Sequence, residues 1–182
     1  MPTIFAHTAI PLSIGFGLGR DRISARLLAI GVAASIIPDL DVIAFRFGIP
    51  YAADFGHRGF THSLCFAFGT AFLGTLSSGY FRTRFRLAFA YLFVSAASHG
   101  ILDALTNGGL GIALLWPFSS TRYFAPFQMI EVSPLSLAGF LSRRGLEVLE
   151  SELVWVWLPC MLFALLIRIS VKAKPPWIDR AG

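Results

Sequence analysis

Three apolar runs of about 20 residues constrain this chain more than any other feature: roughly 61–80, 86–106 and 153–172. A helix of that length rises about 30 Å, the thickness of a bilayer's hydrocarbon core. Two shorter apolar segments precede them, about 3–18 and 25–37. The second rises only ~20 Å as a helix, so these two form a tilted or half-inserted hairpin, or lean on the longer helices. Pro11 is expected to bend the first and Pro38 to end the second, because the residue before a proline avoids the helical region. The prediction is an all-α, polytopic membrane bundle of about five helices, forming one membrane-embedded domain over residues 1–182.

Composition enters where a soluble alternative must be weighed. Only 14% of residues are charged, 55% are hydrophobic and the mean hydropathy is +0.70. A soluble domain usually carries about 25% charged residues, so this chain lacks the polar groups to cover a surface facing water. The net charge is +5, but the basic residues sit in short clusters between apolar runs. They are "RDRISAR" at 20–26, "RTRFR" at 82–86, and Lys172, Lys174 and Arg180. That is the cytoplasmic-flank pattern of membrane proteins. No basic stripe with interleaved aromatics suggests a nucleic-acid partner. Membrane lipids and a small-molecule or lipid substrate are the expected partners. The start "MPTIFAHTAIPL" lacks a positive n-region and reads as a retained first helix. Cys65 and Cys160 form no metal-type pair and read as small buried apolar residues.

The region between Leu105 and Leu153 is mixed. "TNGGLG" is a turn signal. "LLWPFSSTRYFAPF" carries the aromatics of a bilayer interface, and "LSRRGLEVLESELVWVW" looks like an amphipathic lead-in to the last helix. With the basic clusters placed in the cytoplasm, helix one runs inward, and parity gives five passes with the N-terminus out and the C-terminus in. Arg122, Arg143 and Arg144 fall on the outer side, against the rule.

This topology gathers the chemistry on one side. His7 lies in the outer half of helix one, Asp39 and Asp41 follow helix two, and His57 and His62 open helix three. His99 and Asp103 lie toward the outer end of helix four. These are all four histidines and three of the aspartates, delivered by four segments. His99 and Asp103 are four apart, hence on one face of a helix. That spacing suits two ligands of one metal, or a histidine oriented by a carboxylate. A plainer reading is a neutral histidine bonded to a lone aspartate inside the bundle. Ionisable groups in apolar segments normally face a polar cavity or a partner.

In "GHRGFTHSL", Gly59 permits a tight turn and Thr61 is a candidate N-cap for helix three. Arg58 either pairs with an anionic ligand or snorkels to headgroups. Imidazoles and carboxylates without thiolates suit zinc, then manganese or iron, and seven candidates exceed what one four-coordinate ion takes. A two-metal site that activates water is the natural use for the surplus, and hydrolysis of phosphoesters the typical chemistry. Neither a G-x-S-x-G nucleophile motif nor a Walker-type loop is present.

"GHRGFTHSL", His7, "PDLD" at 38–41, "SHGILDALTNGG…LLWPF" at 98–118 and "YFAPFQMIEVSPL" at 123–135 resemble, in order, the YdjM-like family of inner-membrane metal-dependent hydrolases, known from a LexA-regulated bacterial member. The likeness covers about residues 1–135. It implies an inner-membrane location, a divalent metal (one or two ions) and ligands among His7, Asp39, Asp41, His57, His62, His99 and Asp103. A looser likeness to all-helical zinc phospholipase C points to phosphoesters. The expectation is a hydrolase at the extracytoplasmic face. His57 and Asp41 are its candidate proton shuttles, and Arg58 its holder of the anionic group. The competing expectation is a metal-ion or proton transporter using the same cluster.

Overall fold

A computed structural model describes residues 1–134 and 136–173; Lys174 and Arg180 of the basic tail lie outside the described residues. Among them the chain is all-helical, with two isolated β-bridges and no strand. Helix α1 (Ile4–Leu18) starts at Thr3, whose side chain accepts from the Ala6 N–H. Helix α2 (Ala25–Ile36) is capped by Ser24 in the same manner. Then follow α3 (Leu64–Thr75), the short α4 (Ser78–Phe81), α5 (Phe85–Ala104) and the short α6 (Leu137–Phe140). Helix α7 (Arg143–Glu152) passes through a π-helical stretch, Leu153–Trp157, into α8 (Leu158–Lys172).

The spans differ from the expected ones in instructive places. Pro38 does not stop the second segment. Ile37, just before it, keeps helical angles (φ −49°, ψ −39°), and the chain tightens into a 3-10 helix over Ile37–Phe47. Proline tolerates that first turn because its missing N–H has no bond to make there. Ala25–Phe47 is thereby 23 residues long, enough to cross a bilayer. The 61–80 run, by contrast, yields a helix of 12 residues, because Phe60–His62 is a 3-10 turn and "LSSG" breaks the far end. The cap of α3 is Ser63, which accepts from the Phe66 N–H, rather than Thr61. Among the described residues, Phe85–Ala104 and the continuous Arg143–Lys172 are the other two runs long and apolar enough to span.

Helix α5 is the axis, packed against α3, α2 and α1, with α8 on the outer side of α1. Small residues set the spacing. Ala34, Ala67 and Ala96 meet where α2, α3 and α5 cross, and a Cβ on Gly31 would stand 2.3 Å from the Tyr91 ring. Membrane helices approach closely through such residues. The α7–α8 run is different, with only 6% of its apolar window buried. It presents Leu162, Leu165, Leu166 and Ile169 outward, as a lipid-facing helix does. Cys65 is exposed and Cys160 half-buried, so neither is the enclosed small residue its apolar context suggests.

Candidate metal centre

The polar residues converge at one end of this bundle. His7, on the first turns of α1, is fully buried and stacks on His99 of α5, with ring centroids 3.7 Å apart. One turn further along α5, Asp103 is fully buried too. Asp39 and Asp41 lie two apart on the 3-10 stretch. At three residues per turn their side chains diverge by about 120°, so one sequence motif serves two neighbours. Asp39 turns toward His99, and Asp41 toward His57 and His62.

The turn that carries His57 and His62 is built from close backbone approaches. A Cβ on Gly59 would lie 2.0 Å from the Asp54 carbonyl oxygen, so only glycine fits. The left-handed residue is not this glycine but its neighbour Arg58 (φ 62°), which is fully buried. Non-glycine residues in that region carry strain and concentrate at functional sites. The Arg58 Nε lies 3.1 Å from Asp103 Oδ2, Nη1 donates to the Gly108 carbonyl and Nη2 to Thr106 Oγ1. The two Nη groups are thus engaged by protein acceptors, and the Nε ion pair faces Asp103.

The histidine tautomers follow from the partners. His99 Nδ1 lies 2.7 Å from the Ser35 carbonyl oxygen, which can only accept, so Nδ1 carries the proton and Nε2 a lone pair. Thr61 donates its hydroxyl proton to Asp41 Oδ2 (2.6 Å) and presents its oxygen to His62 Nδ1 at 3.0 Å. Asp41 Oδ2 is 3.3 Å from the same nitrogen. His62 therefore keeps its Nδ1 proton on that side and turns Nε2 inward. The two Nε2 atoms stand 3.0 Å apart. Asp103 Oδ2 is 3.0 Å from His62 Nε2, and Asp39 Oδ1 is 3.4 Å from His99 Nε2. His7 Nε2 approaches Asp39 Oδ2 and Asp103 Oδ1, each at 3.8 Å.

The Asp39 and Asp103 carboxylates face each other across these two nitrogens and repel. Buried acceptors without donors cost about 1–3 kcal/mol each, and more when charged. Both oxygens of Asp39, both of Asp103, both nitrogens of His7 and the Arg58 Nε lack hydrogen-bond partners. A cation among them removes the conflict. Ligand atoms about 2.0–2.1 Å from a tetrahedral zinc are roughly 3.3 Å from one another, close to the 3.0 and 3.4 Å edges here. The donor set thus fits a divalent metal. Asp39, His62, His99 and Asp103 offer atoms all within 4.8 Å of one another, and His7 stands beside them.

Asp41, His57 and His62 form a second such group, but its carboxylate is already engaged. Asp41 Oδ1 is 2.6 Å from His57 Nδ1, while Oδ2 accepts from the Arg58 N–H and the Thr61 hydroxyl. Asp41 is placed to orient two histidines, the arrangement by which a carboxylate behind a ligand fixes ring and tautomer. His57 packs edge-on to Tyr51 at 5.2 Å. Burial holds the Tyr51 phenol above its usual range.

Several supports have no counterpart in the sequence reading. The Ser35 carbonyl points at His99 only because α2 crosses α5 there. Arg122 ties the covering loop down by donating to the carbonyls of His57, Tyr51 and Ala53. A lone arginine in the aromatic loop is the available signal. Glu152, buried at the end of α7, accepts from the Thr3 N–H and hydroxyl and so fixes the start of α1, one turn before His7. Arg144 pairs with Glu131 at 2.6 Å. The Asn107 amide and this guanidinium hold Glu131 below the usual carboxylate range.

A family model described as "YdjM inner membrane protein" matches residues 1–175. Inner membrane protein YbcI of Escherichia coli (strain K12) is 47% identical over 163 residues, covering 89% of this chain and 94% of the relative. No solved structure matches.

Proposed function

The chain belongs to the YdjM inner membrane protein family, and from that premise we propose that it is a membrane-embedded metal-dependent hydrolase acting on a phosphoester or lipid-linked substrate. The observation that carries this reading is the approach of the His62 and His99 Nε2 atoms, 3.0 Å apart, with Asp103 and Asp39 facing them. His7, Asp39, His62, His99 and Asp103 hold one divalent cation. Nitrogen and oxygen donors without thiolate favour zinc, then manganese or iron.

A bound cation of this kind supplies Lewis acidity toward a water and an ester oxygen. The chain's own residues do the rest. Asp41 keeps the Nδ1 proton of His57 in place, leaving Nε2 to take a proton from water and return one to the leaving group. Arg58 neutralises and anchors Asp103 instead of clamping the substrate. Phe47, Phe118 and Phe127, 78%, 92% and 69% exposed around this end, suit the headgroup level of a bilayer, where a lipid-linked substrate resides. The arginines at the opposite end support a cytoplasmic position for that end. The site then faces the extracytoplasmic side, with the N-terminus out and the C-terminus in.

Full burial of the cluster favours a second reading, an ion transporter with an occluded site. Transport needs a relay through the other half of the bundle. There the buried hydroxyls of Ser13, Thr75 and Ser95 donate to backbone carbonyls. Among the described residues that half buries neither an acid nor a histidine. The deciding experiment is metal analysis of detergent-purified protein beside H99A and D103A, with phosphoester hydrolysis in the same detergent. Stoichiometric metal and hydrolysis in wild type, both lost in the variants, support the hydrolase. Metal without hydrolysis of any phosphoester class returns the metal-ion transporter, and a metal-free, folded wild type removes both metal-dependent readings and leaves a proton pathway.

A further inference from the structure

Away from the His/Asp cluster, the opposite end of the bundle carries two adjoining cavities of different character. The first, about 460 Å³, is lined by Arg20, Arg26 and Arg82 with the hydroxyls of Ser24 and Thr83, against one acid, Asp21. The second, about 710 Å³, shares Arg20 and Asp21 but has apolar walls from Phe16, Leu28, Ala164 and Leu165, with Arg168 beside them. Both volumes fall in the range of small-molecule sites.

Two of the arginines, Arg26 and Arg168, are held by neighbours. Arg26 lies 4.3 Å over the Tyr80 ring and donates to the Tyr80 carbonyl, so its stem is held while the guanidinium edge stays exposed. Arg82 sits at φ 53°; it and the buried Arg58 are the two non-glycine residues with positive φ among those described. Arg168 lies against Gly19, where a Cβ would stand 2.3 Å from its Nη1.

We propose that these joined cavities bind an anionic phospholipid of the adjacent leaflet, the phosphodiester among Arg20, Arg26 and Arg82 and an acyl chain along the groove of α1, α2 and α8. Charge and shape together select this occupant. Three guanidiniums against one carboxylate call for an anion, and the fork geometry of arginine suits phosphate oxygens. A free phosphate or a soluble phosphoester leaves the apolar groove unused, whereas a zwitterionic lipid brings an ammonium against the arginines. Basic pockets between membrane helices recognise anionic headgroups by this combination.

The test is native mass spectrometry of the full chain in detergent, titrated separately with phosphatidylglycerol, phosphatidylethanolamine and inorganic phosphate. Phosphatidylglycerol binding at least about tenfold tighter than phosphatidylethanolamine is expected. Loss of two cations in R26Q/R82N weakens it about thirtyfold; asparagine tolerates the left-handed backbone at 82. R84Q/R86Q removes the same charge from residues that line neither cavity, and leaves affinity within about threefold. Equal binding of the two lipids overturns the proposal, as does equal loss in the two double variants. Displacement of the lipid by equimolar inorganic phosphate also overturns it, since the groove would then contribute nothing. If R26Q/R82N does not fold, the wild-type contrast between the two lipids decides alone.

Discussion

The two ends of this bundle are built from the same helices and treat charge in opposite ways. At the His/Asp end, Arg58, Asp103, His7 and His99 are all fully buried, and the charged groups face one another. At the arginine end, Arg20, Arg26 and Arg82 are exposed, and the buried interior is Ile23, Leu27, Phe81 and Leu92. Ionic groups in a membrane interior are expensive. A chain with so few of them concentrates the burial where carboxylates and imidazoles can share a cation, and elsewhere keeps charge at the surface.

Removing charge should therefore have very unequal consequences at the two ends, and this is the largest effect expected. D103A strands the buried Arg58 guanidinium and should lower unfolding stability in detergent by about 3–5 kcal/mol. R26Q, which gives up an exposed guanidinium resting on Tyr80, should cost no more than about 1 kcal/mol. Equal losses would show that Arg58 and Asp103 reach water in solution.

The turn between His57 and His62 offers a sharper version. G59A drives a Cβ into the Asp54 carbonyl and should cost about 1–3 kcal/mol while moving both histidines. Bound metal should fall in proportion. A G59A protein with wild-type stability and full metal content would sink the claim that this turn is fixed by close packing.

Much of this contrast is legible in the sequence, and the gaps have physical causes. The i, i+4 spacing of His99 and Asp103 and the placing of four segments' polar residues on one side are local or parity arguments, and the structure brings those residues together. Arg58 is different. Nothing in "GHRGF" says whether its guanidinium turns outward to an anion or inward to Asp103, 45 positions away; the left-handed backbone at 58 and the room left by Gly109 are tertiary facts. Pro38 misleads for a related reason. The rule that a preceding residue leaves the helical region is statistical, and here the chain keeps turning as a 3-10 helix. That geometry separates Asp39 from Asp41 and divides their roles, which the spacing alone left open.

The division of roles is itself testable. D41N keeps the shape of the side chain but weakens its hold on His57 and His62. If Asp41 only orients them, metal affinity should fall about 10–100-fold by competition with a chelator, without emptying the site. A D41N protein as metal-free as H99A would make Asp41 a ligand in its own right and favour two cations over one.

The smallest expected effect closes the comparison from the arginine end. Gly79, in α4, has nothing within 4 Å of where a Cβ would stand, and its φ lies outside the left-handed range. Alanine there meets no neighbour and restricts the unfolded chain, so G79A should stabilise by about 0.4–1 kcal/mol. The same substitution at Gly59 is predicted to destabilise, so the pair separates backbone entropy from packing with one chemical change. A destabilised G79A would mean that the α4 turn is packed against something in the membrane. The first candidate to test would then be the lipid bound by the neighbouring Arg82, by repeating the measurement with phosphatidylglycerol removed.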